Sequence, residues 1–281
     1  MITRRQFISL SAAATALSLT NSLRAQIPPV KATPPPGARK KRGLGRSAKA
    51  PGWAKQLTDL RCPWFYSWNS LAPVGVPPGI EFIPMIFRYA GNPRMVVDAA
   101  AAARKAGTTE LLGFNEPEGK EQGNMTLESA LAAWPVLMET GLRLGSPSCI
   151  HPDKEWMVAF MDGVKQRELR IDYVCVHSYG GPDPDALVKR LEQVHKMFGR
   201  PIWITEFAVG DWAAKSVGQN RHRPETVLRF MEKVLPMLDQ LEFVERYAWF
   251  PSKANSAPLG TSALFDEQGA LTPLGQCYRD A

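Results

Sequence analysis

Two glutamates in this 281-residue chain stand at the ends of apolar runs: Glu116 follows LLGFN in LLGFNEPEG (111–119), and Glu206 follows PIWIT in PIWITEF (201–207). An apolar run that stops abruptly at a carboxylate carries that carboxylate to the edge of a core. Asn115, His177 and Tyr179 end or flank runs of the same kind, and Trp68, Trp212 and Trp249 lie at or just beyond others. Two facing carboxylates in an aromatic cleft are what glycoside hydrolysis requires. One, protonated, serves the leaving oxygen; the other attacks the anomeric carbon or activates water; the rings give sugars a face to lie against. Glu118 lies past Pro117, which ends the run because it cannot donate to a strand ladder, so Glu118 reads as a solvated loop residue. No HxH or HExxH spacing accompanies the acids, and Cys62, Cys149, Cys175 and Cys277 fall at unrelated spacings. No metal or other cofactor is therefore expected, and Cys175, inside an apolar run, reads as a small core residue.

The elements that must position these groups are short apolar runs alternating with helical patterns. The runs are 42–46 (RGLGR), 64–68 (WFYSW), 82–87 (FIPMIF), 111–115 (LLGFN), 142–146 (LRLGS), 173–178 (YVCVHS), 202–205 (IWIT) and 247–250 (YAWF). Helical periods fill 94–107, 129–141, 155–169, 185–199 and 224–241, and 51–59 (PGWAKQLTD) fits between the first two runs. Eight strands that are apolar throughout, alternating with helices, predict an α/β single domain built as a (β/α)8 TIM barrel. It should be somewhat degenerate: NSLAPVGVPPGIE (69–81) holds too many prolines for a helix, so the helix between strands two and three is missing. No GxGxxG follows a strand, which argues against a dinucleotide-binding fold. In a barrel of this kind the site lies at the C-terminal strand ends. Period two would place Leu112, Phe114 and Glu116 on one side, Ile202, Ile204 and Glu206 on one side, and His177 with Tyr179.

The net charge of +7 invites a nucleic-acid reading, and its distribution removes it. Residues 1–47 hold nine Lys and Arg and no acid, which leaves 25 basic residues against all 27 acids beyond that point, or about −2. Residues 1–25 (MITRRQFISLSAAATALSLTNSLRA) have a charged start, an apolar stretch and a small residue at the end, the pattern of a twin-arginine export signal; residues 26–39 are a Pro-rich linker, and the catalytic domain is expected over 40–281. An exported chain, periplasmic or extracellular, monomeric and without a membrane anchor when mature, is the expectation.

Taken in order, KRGLGRS, WFYSWN, FIPMIF, LLGFNEPE, LGSPS, VHSYGG, PIWITEFA, RYAWFPS and ALFDEQGALTPLG resemble glycoside hydrolase family 128, a family of (β/α)8 retaining β-glycosidases, over nearly all of residues 40–278. That resemblance implies endo-cleavage of β-1,3-glucan, with Glu116 as general acid/base and Glu206 as nucleophile. It further implies that Asn115 holds the sugar 2-hydroxyl, that Tyr179 bonds near the nucleophile and that Trp249 floors the reacting subsite; His177, Trp68 and Trp212 complete the expected substrate contacts. The chain departs from the pattern at Phe87 and Ser178, where a Trp is familiar in relatives. Hydrolysis of another β-linked polymer, such as mannan or xylan, and non-catalytic carbohydrate binding are the alternatives.

Overall fold

Short parallel strands, each held by neighbours on both sides, form the frame that carries the site. The computed structural model describes residues 41–281, so the expected signal (1–25) and linker (26–39) lie outside the described residues. The strands are β1 (Arg42–Gly45), β2 (Trp64–Tyr66), β3 (Glu81–Phe82), β4 (Glu110–Leu111), β5 (Arg143–Leu144), β6 (Val174–Gly180), β7 (Ile202–Val209) and β8 (Val244–Trp249). Six of them pair in the order β3-β2-β1-β8-β7-β6, and β4 pairs with β5. Parallel bridges from Met85 to Leu112 and from Gly145 to Tyr173 join the two sets, which closes the ring of eight. The expected (β/α)8 barrel is the observed fold.

Helices α1 (Trp53–Asp59), α2 (Pro93–Ala106), α3 (Leu127–Met138), α4 (Glu155–Gln166), α5 (Pro184–Phe198), α6 (Pro224–Gln240) and α7 (Pro273–Asp280) accompany the strands. Their ends follow local chemistry. Asp183 caps α5 through the Ala186 N–H, Pro184 supplies the first-turn φ, and Gly199 takes the left-handed exit; Asn92, Pro93 and Gly107 do the same for α2. No helix forms between β2 and β3, as the prolines dictate. Helix α7 falls outside the sequence expectation, which gave LTPLG no secondary structure. Thr272 caps it, and Tyr278 from it donates to the Gly43 carbonyl at 2.6 Å.

Two cores divide the apolar residues. The helix-facing side of the strands carries Leu44, Phe65, Val176, Ile204, Phe207 and Trp249, while the barrel interior holds Trp64, Tyr66, Met85, Leu112, Tyr173 and Trp203, with Cys175 among them as expected. Large interior aromatics require small neighbours. A Cβ on Gly43 would stand 2.1 Å from the Trp64 ring, which explains the Gly-Leu-Gly of β1. Substituting Gly43→Ala should cost about 3 kcal/mol by overpacking, read as a lowered midpoint in chemical denaturation.

Two sequence expectations fail here for one reason, which is that the strands are not regular. Strand β7 runs four residues past its expected end, and its pairing slips: Val176 faces Ile204 and His177 faces Glu206 on one side, while Ile204 faces Tyr247 and Phe207 faces Trp249 on the other. Thr205 is the extra residue of a β-bulge, which reverses the alternation. Ile202 and Ile204 therefore belong to the helix-facing core while Glu206 faces the cleft, the opposite of what period two implied. In the same way Phe114 packs against Trp134 in the helix layer, with ring centroids 5.5 Å apart. Glu116 reaches the cleft instead through a left-handed backbone, φ 38.

Candidate active site

A cleft of about 610 Å³ opens at the C-terminal ends of the strands, with Trp68, Asn115, Glu116, Tyr179, Glu206 and Phe250 among its walls. Its floor is a hydrogen-bonded cluster. Glu206 is buried, and three donors converge on its carboxylate. Trp68 Nε1 donates to Oε1 at 2.9 Å, Tyr66 Oη lies 3.1 Å from Oε1 and divides its proton with the Thr205 carbonyl, and Tyr179 Oη donates to Oε2. Donors of this kind fix the plane of the carboxylate and satisfy a charge that burial would otherwise penalise. Burial, reinforced by the Glu206 charge, pushes both phenols well above the usual tyrosine range, so each remains a neutral donor.

His177 stands between the two acids. Its Nδ1 is 2.8 Å from Glu116 Oε1 and its Nε2 is 3.4 Å from Glu206 Oε1, with the ring almost wholly buried. Burial alone would pull its pKa down; the charge of Glu206, then the hydrogen bond and charge of Glu116, outweigh burial and raise it above the ordinary histidine value. A raised folded-state pKa contributes stability that is complete below the unfolded value and is lost as pH rises through the folded one. His177→Asn should therefore flatten the decline in thermal midpoint that the native protein shows on going from about pH 6.5 upward, where unfolded histidine titrates. An unchanged slope would show that the imidazole carries no proton between the acids.

Strain marks the same place. Trp68 (φ 57) and Glu116 (φ 38) both adopt left-handed backbone, which costs a non-glycine residue roughly 1–3 kcal/mol. The loop that follows Glu116 secures the turn: Gly119 N–H donates to the Glu116 carbonyl, and Gly123 N–H to that of Asn115. A Cβ on Gly123 would lie 2.4 Å from the Asn115 carbonyl, so only glycine fits.

Of the residues expected at the site, Asn115, Glu116, His177, Tyr179, Glu206, Trp68 and Trp212 gather here. Asn115 is buried and donates to Gln122 at 3.4 Å, and Trp212 stands 61% exposed at the rim with its ring edge-on to Tyr179. Trp249 does not join them. Expected as the floor of the reacting subsite, it is fully buried on the helix side of β8, where Nε1 donates to the Ser262 carbonyl and the ring meets Phe207 and Tyr278. The next residue, Phe250, takes the cleft position, because Arg246 and Ala248 set the inward parity of β8. Glu118 also departs from expectation: Oε1 accepts from the His151 N–H at 3.3 Å and Oε2 is buried, so it is no solvated loop residue. Phe87 lines the cleft, whereas Ser178 faces the α5 side.

Tyr66 and Gln122 were missing from the sequence reading. Tyr66 had a signal, since WFYSW puts Trp64, Tyr66 and Trp68 on one side of an extended chain. Gln122 had none; it arrives through the turn after Glu116.

Glu116, His177 and Glu206 also offer three ligand atoms that lie within 4.8 Å of one another, a spacing that could hold a metal ion. The donors already aimed at Glu206 oppose that use, because a cation there would face the positive ends of the Trp68 and Tyr179 dipoles. The same 4.8 Å limit brings a carboxylate oxygen of each acid to one small region of the cleft.

The comparisons with known proteins agree with that chemistry. A family model described as "Glycosyl hydrolase catalytic core" matches residues 45–278. The crystal structure of a subgroup I glycoside hydrolase family 128 endo-β-1,3-glucanase from Amycolatopsis mediterranei, in complex with laminarihexaose, is 33% identical, covers 86% of this chain and 99% of its own, and superposes with a TM-score of 0.74. A subgroup III curdlan-specific exo-β-1,3-glucanase from Blastomyces gilchristii, in complex with glucose, is 31% identical over 88% of this chain and 100% of its own, with a TM-score of 0.68. Alkali-sensitive linkage protein 1 of Schizosaccharomyces pombe is 28% identical over an alignment of 236 residues that covers 81% of this chain and 42% of that one. The chain thus spans less than half the length of that relative.

Proposed function

The chain belongs to the glycosyl hydrolase catalytic-core family, within glycoside hydrolase family 128, and on that premise we propose that it hydrolyses β-1,3-glucan with retention of anomeric configuration. The observation that carries this reading is the pair Glu116 and Glu206, with oxygens within 4.8 Å of each other at the floor of an aromatic cleft. Retaining enzymes hold their carboxyl groups about 5–5.5 Å apart, and inverting ones, which admit a water between them, about 6.5–9.5 Å.

Glu206, ionised and held by Tyr66, Trp68 and Tyr179, attacks the anomeric carbon, and Glu116 delivers its proton to the departing glycosidic oxygen. Proton donation leaves Glu116 a carboxylate 2.8 Å from His177, which stabilises that charge as an imidazolium. A water then enters on the vacated side. Glu116 takes its proton, the oxygen attacks the same carbon, and Glu206 leaves as a carboxylate with the configuration restored. Asn115, buried beside Glu116, is suited to the sugar 2-hydroxyl, and Trp68, Phe250 and Trp212 offer ring faces to flanking glucose units.

Reducing-sugar release from laminarin, curdlan, mannan and xylan tests the substrate, and proton NMR of the first product formed tests the stereochemistry. Release from a β-1,3-glucan with a β-product first is the expected result. Activity confined to mannan or xylan would overturn the substrate, and an α-product first would overturn the mechanism.

A further inference from the structure

The segment that follows β7 brings Trp212 to the rim of the cleft, and two buried polar residues hold its ends. Asp211 and Asn220 are each 3% exposed, while every residue between them is exposed or half-buried. Neither of the two lines the cleft.

Asp211 closes the segment on itself. Its Oδ2 accepts the Arg221 N–H at 2.9 Å, its Oδ1 accepts the Ala213 N–H at 3.3 Å, and the Arg221 guanidinium lies 3.1 Å from Oδ1. The Arg221 N–H, chief among these, holds the carboxyl below the usual aspartate range, so Asp211 is a carboxylate at neutral pH. The Asp211 N–H donates to the Pro258 carbonyl at 2.9 Å, and Asn220 Nδ2 donates to the Ala257 and Pro258 carbonyls at 3.2 and 3.0 Å. Both ends are thus fastened to the stretch after β8, immediately before Leu259, which lines the cleft. A Cβ on Gly210 would lie 3.1 Å from Leu259 and 3.5 Å from the Trp212 indole nitrogen, so both side chains fold over one glycine.

An indole as exposed as that of Trp212 gains little orientation from packing; among the described residues its one aromatic neighbour is Tyr179, edge-on at 5.8 Å. The backbone on either side must set its direction, and Asp211 fixes that backbone, binding the Ala213 N–H with its side chain and the Ala214 N–H with its carbonyl. Tyr179 meets Glu206 through its hydroxyl and Trp212 through its ring, so Trp212 lies one side chain further from the reacting carbon. Resting on the β-1,3-glucan reading above, we propose that Asp211 is a positioning residue for chain length: with Asn220 it holds Trp212 against an outer glucose unit, beyond the one that reacts.

Steady-state kinetics on laminarihexaose and on dinitrophenyl β-glucoside test this, because the glucoside fills only the reacting position. Asp211→Ala should lower kcat/KM on laminarihexaose roughly tenfold, mainly through KM, as expected for one lost aromatic contact, and on the glucoside by less than twofold. Trp212→Ala should lower kcat/KM on the hexaose to the same extent, and the double variant should lose no more than Trp212→Ala alone, since Asp211 acts through that ring. Asp211→Asn, which keeps an acceptor for the Arg221 N–H, should recover most of the loss. Equal losses on the two substrates would overturn the proposal, by making Asp211 a support of the whole barrel mouth, and so would additive losses in the double variant. Should Asp211→Ala fail to fold, Asn220→Ala carries the same expectation, and unchanged kcat/KM on the hexaose is there the overturning result. Failure of the native protein to cleave laminarihexaose would remove the substrate reading itself, and this proposal with it, before any variant is compared.

Discussion

Glu206→Ala should lose turnover of β-1,3-glucan by a factor on the order of 10⁴ or more, because no other group can form the covalent intermediate. The surroundings make this sharper than a generic loss of a carboxylate. Trp68, Tyr66 and Tyr179 are arranged around the Glu206 oxygens and around nothing else in the cleft, so removing the carboxylate leaves a cavity lined with donors. An anion of suitable size should occupy it. Added azide should restore part of the turnover and emerge as an α-glycosyl azide, because it attacks from the face that Glu206 vacated. Recovery of a β-azide, or native turnover without azide, would show that Glu206 is not the attacking group. The fold should survive, since the substitution removes no apolar packing, and an unchanged near-ultraviolet circular dichroism spectrum checks that.

For Glu116→Ala the expected loss is about 10²–10⁴-fold on β-1,3-glucan, the range of general acid/base assistance. This loss should depend on the leaving group. A dinitrophenyl glucoside departs without a proton, so its first step should be nearly as fast as with the native protein, and the second step should then limit and the intermediate accumulate as a burst of phenolate. Equal losses on glucan and on the activated aryl glycoside would assign Glu116 a structural role instead. Removing Glu116 also strips His177 of its nearer partner, so the variant should show a smaller pH dependence of stability than the native protein.

The barrel was legible because its signals are redundant. Eight apolar runs, helices punctuated by caps, prolines and glycines, and a proline-rich gap where a helix should be all carry the same message, and losing any one would not change it. The two acids were legible for a different reason, being polar residues set against apolar runs. Which way a side chain points was not legible wherever the count along a strand was disturbed. The indole of Trp249 was expected in the cleft from its place at a strand end, yet one residue decides between the cleft and the helix layer, and Phe250 holds that position. The facing of Glu116 and Glu206 came out as expected through alternations that the structure does not follow. A left-handed residue in one case and an extra residue in the other supply the turn, and both depend on hydrogen bonds with neighbouring strands that no local pattern reveals. Gln122 and the buried Oε2 of Glu118 depend on the fold of a single loop in the same way.

The extra residue at Thr205 has a consequence for how this protein can change over time. Insertions and deletions are best tolerated in loops that neither line the cleft nor brace the turn after Glu116. Within β7 the tolerance vanishes. Flattening the bulge with the residue count unchanged would restore a regular ladder and leave every apolar side chain a plausible place to pack, while rotating Glu206 toward the helices and Phe207 into the cleft. Such a descendant would keep its barrel and nearly all of its sequence, and would have no nucleophile; its silence would be written in the register of one strand, with both glutamates still present.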